Sequence, residues 1–111
     1  MQQQFVSVSE EQTIYVRLGG RTYKVRLYSF RELTYIDVEM GGEYIIAGQR
    51  VMANRWIIPE YMAGEDGNFR FETYASDGDD YVWWEGFNKK FRLCCYSQEE
   101  IDEMEAKSAE E

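Results

Sequence analysis

Apolar and polar positions alternate along most of the chain, and the alternation changes period only near the end. From Gln12 to Leu18, Ile14, Val16 and Leu18 share one side while Thr13, Tyr15 and Arg17 share the other. Gly19-Gly20 follows, and Arg21 to Tyr28 alternates again, with Tyr23, Val25 and Leu27 on one side. Two period-2 runs joined by Gly-Gly predict a β-hairpin, because the primed turns that match strand twist need positive φ, which glycine adopts freely. Thr34 to Met40 sets Ile36, Val38 and Met40 against Tyr35, Asp37 and Glu39. Gly41-Gly42 then turns the chain into Glu43 to Ala47. The result is a predicted four-strand meander with short turns.

Gly48 marks a bend, and Arg50 to Ile58 is a less regular apolar stretch closed by Pro59. Tyr61 to Gly67 reads as a loop, and Asn68 to Ala75 as a strand with Phe69, Phe71 and Thr73 on one side. The Ser76-Asp77-Gly78-Asp79-Asp80 cluster reads as a turn. Tyr81 to Trp84 is a short strand candidate. The last predicted strand lies within Phe87 to Tyr96, with Phe91, Leu93 and Cys95 opposite Arg92, Cys94 and Tyr96.

After this the period becomes helical. Ser97 and Glu100 are spaced as a capping box, Ile101 and Met104 fall at i and i+3, and Glu103 and Lys107 can pair at i and i+4. Two or three turns are expected, fraying after Ala106. Alone in water so short a helix is marginal, so its apolar pair must dock, on this chain or on a partner, or the segment stays mobile.

The fold expected is therefore all-β. It is a small antiparallel barrel or sandwich of about seven or eight strands with a short C-terminal helix, divided as a β domain over 1–97 and an acidic tail over 98–111. Its core should be Ile14, Val16, Leu18, Val25, Leu27, Ile36, Val38, Phe69, Phe71, Phe91 and Leu93, the aliphatic and aromatic side of every alternating run.

Charge and composition narrow the function. The 111 residues are one domain's worth, with twelve Lys and Arg against twenty-one Asp and Glu and a formal charge of −9. Seven acids and only Lys107 lie in residues 98–111, so −6 of that charge sits in the tail and −3 in the body. This balance argues against nucleic-acid binding, which needs a cationic surface. The absence of His removes imidazole bases, His-assisted nucleophiles and His metal ligands. Cys94 and Cys95 are adjacent, so a disulfide between them would be strained, and a reducing setting or indifference to redox state is expected. Met1 to Glu10 shows no basic stretch followed by an apolar core, so no secretion signal is expected. No apolar run approaches the ~20 residues that span a bilayer, and no membrane association is expected.

Candidate chemistry is sparse. Asp77-Gly78-Asp79-Asp80 has the flavour of a calcium loop but lacks its ligand spacing, and a solvated turn is the expected reading. Asp37, Glu39, Glu72 and Glu85 lie on or near strands, yet nothing in their spacing forces two carboxylates into one cleft. Neither catalytic residues nor a metal or other cofactor are expected. The aromatic content, three Trp, nine Tyr and six Phe, exceeds what one small core must hide. Tyr15, Tyr28, Tyr35, Tyr74 and Tyr96 fall opposite the aliphatic side. Together with Trp56, Trp83, Trp84, Ile101 and Met104 they are the candidate partner contacts, aromatics beside Arg being typical of interface cores. A second covering layer would account for the same pattern. A carbohydrate-binding module stacking sugars on Trp56, Trp83 and Trp84 is the alternative from another functional class.

The order of elements carries a resemblance. Its parts are the Gln12-Thr13-Ile14-Tyr15-Val16-Arg17-Leu18-Gly19-Gly20-Arg21-Thr22-Tyr23 hairpin, Tyr35-Ile36-Asp37-Val38-Glu39, and the Ile45-Ile46-Ala47-Gly48-Gln49-Arg50-Val51 bend. The closing Phe91-Arg92-Leu93-Cys94-Cys95-Tyr96 strand before Ser97-Gln98-Glu99-Glu100 completes it. From roughly Gln12 to Glu100 the chain resembles the small baseplate plug proteins of contractile-tailed bacteriophages, the family typified by a cyanophage baseplate plug. The resemblance implies a non-enzymatic virion protein near the tail axis, where tube meets baseplate hub. It further implies several copies, contacts with other tail and baseplate proteins, and a passage through the host cytoplasm during assembly.

Overall fold

The computed structural model describes residues 1–59, 66–74 and 81–110, with side chains described as far as residue 107. The Asp77-Gly78-Asp79-Asp80 cluster and most of the 61–67 loop lie outside the described residues. Among the described residues seven strands form two antiparallel sheets: β1 (Gln2–Gln4), β2 (Glu11–Leu18), β3 (Arg21–Phe30), β4 (Leu33–Met40), β5 (Glu43–Arg50), β6 (Asn68–Thr73) and β7 (Phe91–Tyr96). The first sheet is the predicted meander, β2-β3-β4-β5, and the second has the order β1-β7-β6. The sheets are not closed into a barrel. A helix, α1 (Gln98–Glu110), follows β7 directly.

The hairpin registers follow from the turns. Leu18 pairs with Arg21 across Gly19-Gly20, whose φ values of 57° and 84° are those of a type I′ turn. The β3–β4 hairpin has the same two-residue length, with Phe30 opposite Leu33, but it places Arg31 and Glu32 at φ 51° and 70°. A side chain in that region crowds its own carbonyl. Glu32→Gly should therefore raise stability by about 1 kcal/mol, seen as a higher urea midpoint at unchanged slope.

The two sheets share one core. Val16, Val25, Leu27, Ile36 and Val38 from the meander and Phe69, Phe71, Phe91 and Leu93 from the second sheet are all buried. Of the core set expected from alternation, Ile14 alone is only partly buried, packed at the core's margin. Val6, Val51, Ala53, Ile57, Ile58, Val82 and Phe87 join the core from irregular segments.

Those segments are where expectation and structure part. β1 is three glutamines with no alternation to announce it; it forms because β7 offers an open edge at Leu93 to Cys95. Residues 51–58 are not a strand, since Asn54 takes φ 63° and breaks the extended run. Instead, Asn54 N–H donates to the Phe71 carbonyl (2.6 Å) and Ile57 N–H to that of Phe69 (3.0 Å), covering the outer edge of β6. The buried Asn68 side chain clips the end of this segment: its oxygen accepts from Ile58 N–H (3.0 Å) and its amide donates to the Ile58 carbonyl (2.7 Å). Tyr81 contributes a single bridge to Met52, and Trp84–Gly86 is a turn of 3-10 helix rather than a strand.

The capping box is present. Glu100 N–H donates to Ser97 Oγ (3.2 Å) and Ser97 N–H to Glu100 Oε1 (3.0 Å). The helix runs to Glu110, beyond the expected fraying point. Gln98 pairs with Asp102 at i, i+4 (3.0 Å), whereas no ion pair joins Glu103 to Lys107 among the described residues. Ile101 is buried against its own chain, and Met104 is half-buried. Deleting residues 98–111 should lower the melting temperature, with a loss of about 1.5–3 kcal/mol for one buried isoleucine; an unchanged melt would mean that Ile101 contributes nothing.

Candidate functional site

Strand alternation turns Arg70 and Glu72 of β6 and Arg92, Cys94 and Tyr96 of β7 away from the core, opposite Phe69, Phe71, Phe91 and Leu93. The register sets Arg70 beside Cys94 and Glu72 beside Arg92. At the centre is the Glu72 carboxylate, only 12% exposed. It accepts from Arg70 Nε at 2.8 Å and from the Tyr96 hydroxyl at 2.5 Å, and lies 3.5 Å from a terminal nitrogen of Arg92. Burial alone would push its pKa up, but the hydrogen bonds from Tyr96 and Arg70 outweigh burial and hold it below the usual carboxylate range. The same burial, with the bond to Glu72, pushes Tyr96 up to about 12.

Aromatic rings surround this charged centre. Trp56, brought in by the 51–58 segment, meets Tyr96 edge-on with centroids 5.4 Å apart. The Arg70 guanidinium lies 4.3 Å from the Trp56 ring centre and 5.3 Å from that of Tyr96, and Arg92 lies 5.5 Å from that of Tyr74. Arg92 Nε is buried without an acceptor among the described residues. Cys94 lies beneath the cluster, and burial followed by the Glu72 charge raises its thiol to about 11. Burial raises Cys95 to about 12. Both are free thiols held protonated at neutral pH, and so are weak nucleophiles.

A second group of rings occupies the outer face of the meander. Tyr28 and Tyr35 stack with centroids 6.0 Å apart, and Phe30 meets Tyr35 edge-on at 6.3 Å. Arg26 lies 4.5 Å from the Tyr28 ring centre and pairs with Glu11 at 2.9 Å and Asp37 at 3.6 Å. Asp37 also accepts from Gly48 N–H at 2.6 Å, fixing the bulge that offsets β5 from β4. That bond gives Asp37 a structural task. Tyr15 stands apart on β2, 62% exposed.

The three tryptophans do not form one platform. Trp83 packs edge-on against the core ring of Phe91 at 4.8 Å and Trp84 against the core, while Trp56 sits with Tyr96 and Arg70. No ring contact joins Trp56 to either of the others among the described residues. Of the four carboxylates considered for acid–base work, Glu72 is the one set between two arginines among the described residues, and its lowered pKa is the reverse of what a general acid needs.

Of the ten candidate contacts, Trp56, Tyr74 and Tyr96 come together around Arg70 and Arg92, and Tyr28 and Tyr35 come together on the other sheet. Tyr15 is isolated, Trp83 and Trp84 lean on the core, and Ile101 is enclosed by its own chain, leaving Met104 partly open. Arg70, Glu72 and Arg92 were not anticipated as a unit. Their signal in the sequence was three charges at alternate positions, interleaved with Phe69, Phe71, Phe91 and Leu93 on two runs that pair.

No helix among the described residues is long and apolar enough to cross a membrane. No curated protein matches the chain. A family model, that of the cyanophage baseplate Pam3 plug gp18, matches residues 3–98, from the middle of β1 through both sheets to the first residue of α1. With nearly the whole β body matched, the chain belongs to the cyanophage baseplate plug family, whose place is the tail baseplate of the virion.

Proposed function

We propose that this chain is a non-enzymatic plug that closes or bridges the tail tube and the baseplate hub through protein–protein contacts, present in several copies. A structural role in the baseplate follows from the family. The finer reading is supported chiefly by the Arg70–Glu72–Arg92 cluster framed by Trp56, Tyr74 and Tyr96. Trp, Tyr and Arg are the residues that dominate binding energy at protein interfaces. The charged centre is already internally paired, so a partner meets a rigid platform rather than loose side chains. The Tyr28–Tyr35 stack, Tyr15 and Met104 offer further contacts. We assign residues 1–97 to the body that fills its place in the baseplate and 98–111 to an acidic appendage. The chain's negative charge would also keep it from holding DNA that passes along the tube. Assembly would take place in the host cytoplasm.

The test is a phage that carries this chain, grown with its gene deleted and with or without complementation. Loss of axial density where the tube meets the hub, with loss of infectivity, is the expected result. Infectious particles with an unchanged baseplate would overturn the reading.

A further inference from the structure

The two sheets have four outer strand edges among the described residues, and an unpaired edge is a template for another strand. The outer edge of β6 is covered by Asn54 and Ile57. The edge of β1 is three residues long, and that of β5 is interrupted by the bulge at Gly48. The edge of β2 is eight residues of regular strand without Pro, Lys or a bulge.

The bond from Ser29 N–H to the Glu10 carbonyl (2.9 Å) fixes the phase of the β2–β3 ladder. Antiparallel pairs alternate between bonded and non-bonded, so Gln12, Ile14, Val16 and Leu18 turn their main-chain groups to β3. Glu11, Thr13, Tyr15 and Arg17 turn theirs outward. The Glu11 carbonyl accepts from Ser9 Oγ at 3.3 Å; those of Thr13, Tyr15 and Arg17 have no partner among the described residues. All three of these residues are exposed, and Ile14 on the inner side is incompletely covered.

We propose that the β2 edge is the contact through which two copies of this chain pair, antiparallel and two-fold symmetric about Ile14. The choice of a second copy comes from the sequence of the strand itself. Centred on Ile14, Thr13 of each copy faces Tyr15 of the other as a bonded pair, giving four main-chain hydrogen bonds. The same register brings Glu11 of each copy opposite Arg17 of the other, two ion pairs at the ends. Ile14 meets its own symmetry mate on the inner side, which completes its cover. Moving the centre to Tyr15 sets Arg17 against Thr13, and moving it to Thr13 sets Glu11 against Tyr15; either shift loses both ion pairs. An isologous contact of this kind closes after two copies and hides the open edge. The inference stands on β2 alone, so its failure would leave the baseplate reading untouched.

The test is the mass of the full chain in solution, by light scattering behind size exclusion and by sedimentation velocity. A concentration-dependent dimer is expected. Tyr15→Pro removes an outward N–H without touching the β3 ladder, and should raise the dissociation constant at least about tenfold. Should that variant misfold, charge exchange gives an independent reading: Arg17→Glu weakens the dimer, and adding Glu11→Arg, which also gives up the exposed pair with Arg26, restores it. A chain that is monomeric at every attainable concentration, or a trimer or larger ring, would overturn the proposal. So would a dimer indifferent to both tests.

Discussion

Phe71→Ala should lower the unfolding free energy by about 3–5 kcal/mol, the range for truncating a fully enclosed phenylalanine. Phe71 is completely buried, and its ring stacks on that of Phe87 at 5.3 Å with the planes 11° apart. Phe87 belongs to the irregular chain between Trp84 and β7, so the stack ties this connection to β6. The Phe71 carbonyl, meanwhile, takes the Asn54 N–H that holds the covering segment to the other side of the strand. Truncation would open a cavity where three separately held pieces of chain meet, and rigid surroundings relax poorly into such a space. Thr13→Ala, on the exposed edge, should change stability by less than about 0.5 kcal/mol. Urea unfolding of the two variants checks the contrast. A Phe71→Ala midpoint close to that of Thr13→Ala would mean that β6 is offset by one residue.

How much of this was legible in the sequence depended on whether a local rule decided the outcome. The Gly19-Gly20 and Gly41-Gly42 hairpins were readable because the turn itself requires glycine and two residues fix the register. The β6 and β7 alternation was readable because one face of each strand is fully apolar. Ser97 and Glu100 were readable because the cap is formed between residues three apart. Arg31 and Glu32 form the same kind of turn with no residue to announce it; pairing along β3 and β4 overrides local preference there. Gln2–Gln4 became a strand through what β7 lacked rather than through anything in its own pattern. The candidate surface was half legible. Alternation gave the direction of Tyr74 and Tyr96, but the burial of Arg70 and Glu72 between them depends on Trp56, carried across the sheet by a segment with no regular period. A charge on a strand's outer face reads as solvated until something covers it, and the covering piece here lies more than a dozen residues away.

That covering gives Glu72 the second large effect. Glu72→Ala should cost about 3 kcal/mol at neutral pH, the lower end of the range for removing one partner of a buried ion pair. The loss goes beyond one salt bridge. Arg70, Arg92 and the Tyr96 hydroxyl would all face an apolar methyl group, and Arg92, which already has one buried nitrogen without an acceptor among the described residues, would lose its carboxylate as well. The effect must also depend on pH, in a known direction. Since the folded-state pKa of Glu72 is depressed, the unfolded chain takes up the proton first as acid is added. The stabilisation is thus fully present above the unfolded value of about 4.3, and it is lost as pH falls through the lower folded value. Wild type and Glu72→Ala should accordingly differ most at neutral pH and converge in acid, and every other carboxylate cancels from the comparison. Glu72→Gln keeps the shape and one acceptor but not the charge, so it should lie between them at neutral pH. Stability curves for the three proteins across the acid range decide the matter. A gap between wild type and Glu72→Ala that stays constant down to the lowest pH would show that the carboxylate acts there by packing alone. The two arginines would then owe their positions to Trp56, Tyr74 and Tyr96, and the platform proposed for a partner would be aromatic first and electrostatic second.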